Sequence, residues 1–147
     1  MTVAVPSTIS NTSNPGTPLT LSTNNTINLN AALTFTSASD LNLGTGDVHL
    51  TGARTINTSF ALNLASLTIG GVISGTGSLT KIGPATLVLT GTSIYAGTTT
   101  ITEGTLKIGN GGTTGSVAGD IIDNATLTLT AATTSPRQII SPVLAPC

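Results

Sequence analysis

The chain has 147 residues, of which 6% are charged and 2% aromatic, with a formal net charge of −1. So weak a charge gives no long-range field to draw phosphate or anionic lipid. Arg54, Lys81, Lys107 and Arg137 are too few to build a basic patch with stacking aromatics, so nucleic-acid binding is excluded.

A mean hydropathy of +0.38 separates the chain from the charged, polar composition of disorder. Its apolar content is mostly Leu, Ile, Val and Ala, and Thr, Ser, Asn and Gly supply much of the rest. Thr and the branched aliphatics have stiff side chains that suit a pleated surface, while Glu, Lys, Gln and Arg are nearly missing, so an all-β fold is expected.

In chain order, residues 1–18 have no basic stretch and no apolar run long enough for an export signal, and read as an irregular lead-in. Any such signal is expected outside this chain. From 19 to 132, apolar residues recur two apart: Ile27 and Leu29, Leu33 and Phe35, Leu41 and Leu43, Val48 and Leu50, Leu62 and Leu64, Leu67 and Ile69, Leu87 and Leu89, Leu106 and Ile108, Leu127 and Leu129. That is the period of a strand with one buried face. Turn formers stand between the pairs, with GTG at 44 and 75, NTS at 57, GNGG at 109 and DN at 123.

No window approaches eighteen apolar residues in a row, so no membrane-spanning helix is expected. Residues 133–147 contain Pro136, Pro142 and Pro146, which supply no ladder donor, and read as an irregular tail. The one cysteine, Cys147, has no partner for an intramolecular disulfide or a multi-cysteine metal site. The chain reads as a piece of a longer protein or a truncated reading frame.

A phrase repeats along the middle: SLTIG at 66, TLVLT at 86, TLKIG at 105 and TLTLT at 126. Leu67, Leu87, Leu106 and Leu127 stand 20, 19 and 21 residues apart, and DVHLTG places Val48 19 residues before Leu67 as a fifth copy. Short strands between turns could form a sandwich of antiparallel strands, but the fixed period favours a solenoid, a parallel β-helix with coils of about 20 residues stacked about 4.8 Å apart. A narrow tube of this kind has room for Leu, Ile, Val and Ala but little for large aromatics. About seven coils would fit, each burying its apolar face only against its neighbours.

The stretch ISGTGSLTKIGPATLVLTGTSIYAGTTTITEGTLKIGN, over about 73–110, resembles the passenger-associated transport repeat, also called the autotransporter-associated β-strand repeat, of bacterial surface proteins. The matching positions are Gly75, Gly77, Leu79, Lys81 and Gly83, then Leu87, Leu89 and Gly91 within Thr86–Gly91, then Tyr95, Gly97 and Thr99, then Gly104 and Leu106. Pro84 and Ala85 replace the usual small residues before the strand, and Ser93 stands where asparagine is common. The resemblance implies a right-handed β-helical stalk and an association with passage of the passenger across the outer membrane and its folding outside. A translocator barrel is not read in this chain.

Candidate chemistry is sparse, and no cofactor is expected. Alternation turns His49 outward as a surface residue. Asp120 and Asp123 read as turn and strand-end residues more readily than as paired catalytic carboxylates, since no third charged group lies near in sequence. GTGD at 44 and GNGG at 109 resemble calcium-binding nonapeptides but lack the full pattern. The abundant Ser and Thr have one histidine between them and no G-x-S-x-G. Tyr95 is expected to cover a coil edge beside Gly97. Lys81, Glu103 and Lys107 are expected to pair on the outer face. TFT at 34, TIT at 100 and TLT at 126 could line an ice-binding face if they shared one wall.

The resulting expectation is a non-enzymatic stalk segment of an autotransporter-like, adhesin-type surface or secreted protein, with a host-surface or glycan ligand. The alternatives are a fragment of a carbohydrate-active β-helix enzyme and a self-associating or ice-binding solenoid, with end coils offering unpaired strand edges.

Overall fold

The computed structural model describes residues 1–13, 16–60, 65–131 and 139–141. Leu62, Leu64, Pro136, Arg137, Pro142, Pro146 and Cys147, and with them most of the expected tail, lie outside the described residues.

The strands come in threes. β1 (Thr2–Val3), β2 (Ser7–Ile9) and β3 (Leu19–Thr20) make the first coil, so the solenoid already begins within residues 1–18, expected as an irregular lead-in, and β4 (Ile27–Leu29), β5 (Leu33–Phe35) and β6 (Leu41–Asn42) make the second. The third holds β7 (Val48–Leu50), β8 (Arg54–Thr58) and β9 (Ser66–Ile69), and the fourth β10 (Ile73–Gly75), β11 (Leu79–Ile82) and β12 (Thr86–Leu89). The fifth holds β13 (Thr92–Ser93), β14 (Thr99–Ile101) and β15 (Thr105–Ile108), and the sixth β16 (Ser116–Val117), β17 (Ile121–Asp123) and β18 (Thr126–Leu129). β19 (Ile139–Ile140) then pairs with β17.

Each coil sends one strand to each of three walls. The first wall is β1-β4-β7-β10, the second β2-β5-β8-β11-β14-β17-β19, the third β3-β6-β9-β12-β15-β18. The β13-β16 pair continues the first wall, because Ile94 N donates to Ile73 O (2.8 Å) and Ala96 N to Gly75 O (3.0 Å). Every pairing described is parallel. The chain is therefore an all-β solenoid of about six turns, about 22 residues apart. Six replaces the expected seven because some coils are longer than the repeat phrases suggest: Leu41 pairs with Leu67, against Leu87 with Leu106.

Four of the five repeat phrases share the third wall, with Leu67, Leu87, Leu106 and Leu127 in consecutive register. The fifth does not. Val48 and Leu50 stand on the first wall, opposite Ile27 and Leu29 on one side and Ile73 and Gly75 on the other. All three walls carry the same inward alternation, so the phrase alone does not reveal its wall.

The inward side chains form one core running from Val3 to Ile121. Fully burying each aliphatic side chain contributes roughly 1.5–3 kcal/mol against the entropy of ordering its coil.

Candidate functional site

In β11 the order Leu-Thr-Lys-Ile alternates from an inward Leu79, which turns Lys81 inward too. Its register partners are Ile56 and Ile101, and it is 0% exposed. The aliphatic stem lies inside the tube, and the ammonium reaches the corner where the chain leaves the second wall. There Nζ donates to the carbonyls of Ile82 (3.0 Å), Gly83 (2.6 Å) and Glu103 (3.0 Å). Glu103 returns the contact, its Oε2 accepting from Gly83 N at 3.2 Å. Burial pulls the Lys81 pKa down to about 8, opposed by the Glu103 carboxylate, which favours the charged form.

The expected outer-face pairing of Lys81, Glu103 and Lys107 is thus corrected. Lys81 is interior because the alternation from Leu79 turns it inward and three carbonyls at the corner solvate its ammonium. Lys107 instead donates to Asn110 Oδ1 (3.3 Å). Gly83 has φ +82°, a conformation L side chains rarely adopt. Gly104, one coil on at φ +70°, packs against the Gly83 carbonyl, so the two corners lie one over the other.

At the corner between the first and second walls, Tyr95 and Thr99 are both 0% exposed and bond through Tyr95 Oη and Thr99 Oγ1. Burial raises the tyrosine pKa to about 12, and the Thr99 bond acts the other way. Close beside them a column of glycines stacks carbonyl to Cα: a Cβ on Gly77 would overlap the Gly52 carbonyl, and one on Gly97 would come within 2.5 Å of the Gly77 oxygen. Gly91 lies similarly against Gly71, and Gly75 ends β10 at φ +115°. Leu79, Leu87 and Leu106 are 0% exposed and Leu89 1%.

Several groups that serve the corners were not read from the sequence. Thr58 Oγ1 donates to Ala85 O (2.9 Å), Arg54 Nε to Leu29 O (2.9 Å), and Asp40 Oδ1 accepts from Ser66 N (2.7 Å). Each partner is one coil away, so they become visible only once the local coil length is known.

The remaining polar groups are spread over the walls. His49 points outward from β7, with Nδ1 3.3 Å from Ser74 Oγ. In the GTGD turn, Asp47 Oδ1 accepts from Val72 N (3.0 Å). Asp123 Oδ1 accepts from Ala125 N (3.2 Å), a turn role, and the Asp120 backbone carbonyl accepts from Thr99 N (2.9 Å). No group of three or more His, Cys, Asp or Glu that could hold a metal occurs among the described residues. Thr34 and Thr100 lie on the second wall and Thr126 on the third, so the ice-binding reading, which needed one wall, is overturned. A cavity of about 260 Å³ opens between the first coils, lined chiefly by Met1, Ile9, Leu21, Ile27, Leu41 and Leu43. Among the described residues no helix is long and apolar enough to cross a membrane, which says nothing of a β-barrel.

Against known proteins, residues 79–108 match the passenger-associated-transport-repeat family model. Over 60 residues, 41% of its length, the chain is 52% identical to the Adhesin BmaC autotransporter of Brucella suis biovar 1 (strain 1330), and it spans 2% of that protein's length. No solved structure matches the chain. The matched stretch begins at β11 and ends at β15, so it exceeds one coil and contains its own stacking interface, β11 on β14 and β12 on β15. The stretch that matches the passenger-associated-transport-repeat model, residues 79–108, is set in the fourth and fifth coils of a parallel β-solenoid.

Proposed function

We propose that the chain is a passenger segment of an exported, adhesin-type bacterial surface protein, a non-enzymatic stalk that holds other segments clear of the membrane. The observation that carries this reading is the transport repeat built into a solenoid in which Asp40, Asp47, Glu103 and Asp123 each serve a backbone donor instead of converging in a groove. Low charge suits passage of an unfolded chain, and nearest-neighbour stacking lets coils form one after another as they emerge. A host-surface protein or glycan is the ligand class for such a stalk, met by its outer walls or by segments it displays.

The test places the chain between an export signal and a translocator barrel in a Gram-negative host and follows added protease at the surface. The reading expects cleavage of the intact fusion outside the cell and a marked fall in surface signal when residues 79–108 are deleted. Periplasmic retention of the intact fusion, or no effect of the deletion, would count against it. Release of reducing ends from a polysaccharide by the purified chain would favour the carbohydrate-active enzyme instead.

Self-association belongs to the same reading. Leu19 is 39% and Leu129 44% exposed, on the first and sixth coils. The end coils offer strand edges to a second copy, and concentrated solutions of the chain should scatter light as oligomers. A monodisperse monomer, stable over days, would contradict this.

A further inference from the structure

Asparagine side chains hold several turns of the solenoid. Asn11 Nδ2 donates to Thr17 O and Asp40 O (both 2.8 Å), Asn24 Oδ1 accepts from Thr45 N (2.8 Å), and Asn42 Oδ1 accepts from Gly44 N (2.9 Å). Asn110 is placed differently. It stands exposed at the corner where the fifth coil passes into the sixth, between β15 and β16, and its Oδ1 accepts from Lys107 Nζ at 3.3 Å. It is also the one asparagine in the chain that glycine follows. A Cβ built on Gly111 or Gly112 would meet nothing within 4 Å, and Gly111 has φ +80°. A main-chain nitrogen beside a side-chain amide, with no Cβ to crowd the approach, is a nucleophile held next to its target.

We propose that Asn110 is a site of slow self-modification, converted to aspartate and isoaspartate at a rate that the sixth coil controls. Gly111 N attacks Asn110 Cγ and closes a cyclic imide. The bond from Cγ to Nδ2 breaks, and ammonia leaves with the proton that Gly111 N gives up. Water then opens the ring at either carbonyl. Opening at Cγ restores the main chain with aspartate at 110, and opening at the main-chain carbonyl leaves the chain running through the side chain as isoaspartate. The lock on this reaction is a hydrogen bond to the next coil: Gly111 N donates to Thr130 O (3.1 Å), just past the end of β18, so the nucleophile is engaged while the sixth coil is stacked. β18 stands at the edge of its wall among the described strands, with Leu127 half-buried and Leu129 44% exposed, so it opens at lower cost than a strand held from both sides. The reaction draws on that open fraction. Its products act back on the corner. Aspartate sets a carboxylate beside the Lys107 ammonium, and isoaspartate adds a main-chain carbon that shifts Gly111 N away from Thr130 O. Conversion through isoaspartate is therefore a one-way loosening of the sixth coil.

The test ages the whole chain for weeks in mildly alkaline buffer and samples it by peptide mass spectrometry, which reads the mass gain of amide turned to acid at each asparagine and separates aspartate from isoaspartate. Asn110 should convert at least about tenfold faster than any other described asparagine. In denaturant, where no coil is stacked, it should convert at least about tenfold faster still. Leu127→Ala weakens the stacking of β18 on β15 and should speed conversion in the folded chain at least about threefold. Ile27→Val, which removes a buried methyl from the second coil, should lower stability and leave the rate unchanged. Hydrogen exchange of β18 should be faster in the isoaspartate-bearing chain than in fresh chain, and unchanged in Asn110→Asp, which leaves the main chain at its normal length. Conversion of Asn110 no faster than that of the other asparagines, a folded chain as fast as the denatured one, no gain in Leu127→Ala, an equal gain in Ile27→Val, or unaltered exchange in the isoaspartate form would each overturn the proposal. The readout involves no export, so its failure is distinct from failure of the passenger reading.

Discussion

β12 and β18 carry almost the same residues, Thr-Leu-Val-Leu and Thr-Leu-Thr-Leu, and live in different surroundings. Leu87 and Leu89 are 0% and 1% exposed, whereas Leu127 is only half-buried and Leu129 is 44% exposed. The difference is position. β12 lies between β9 and β15, while β18 stands at the edge of its wall among the described strands. Local sequence sets the strand and its facing, but how deeply this pair of leucines is buried depends on whether a strand stacks on each side.

The comparison is open to direct attack. Leu87→Ala should cost about 3–5 kcal/mol in chemical denaturation, and Leu129→Ala less than about 1 kcal/mol, since half of that side chain is already in water. Equal costs would break the argument. Next in size, Gly77→Ala puts a methyl against the Gly52 carbonyl and should cost about 1–3 kcal/mol, while Gly112→Ala, with nothing within 4 Å, should stay within about 0.5 kcal/mol. Melting temperatures of the pair decide this. Tyr95→Phe leaves Thr99 Oγ1 in the core without its partner and should cost about 1 kcal/mol.

Titration is the gentlest probe. The folded pKa of Lys81, about 8, lies below the unfolded 10.5, so the folded chain is penalised while the ammonium is charged, and stability should rise between those values. The folded pKa of Tyr95, about 12, lies above the unfolded 10.0, so stability should fall between pH 10 and 12. Denaturant midpoints across this range should peak near pH 10, with the rise absent in Lys81→Met and the fall absent in Tyr95→Phe.

Much of the fold was legible because a strand facing one core shows its period in every pair of aliphatics, and the spacing of Leu67, Leu87, Leu106 and Leu127 is the register itself. DVHLTG was misplaced because alternation is common to all walls and the residues between β8 and β9 lengthen their coil, so Leu41, not Val48, pairs with Leu67. The expected pairing with Glu103 and Lys107 put Lys81 outside, although the alternation from Leu79 turns it inward. A long stem with carbonyls at its end outweighed the preference of an ammonium for water. The contacts of Thr58, Arg54 and Asp40 were hidden because each joins residues more than twenty positions apart whose separation varies from coil to coil.

Hydrogen exchange of the intact chain, followed by mass spectrometry, tests the neighbour rule most directly. Amides of β12 and β15 should exchange slowest, at the rate of global unfolding, and those of β18 at least about a hundredfold faster despite the shared phrase. Protection of β18 equal to that of β12 would contradict it.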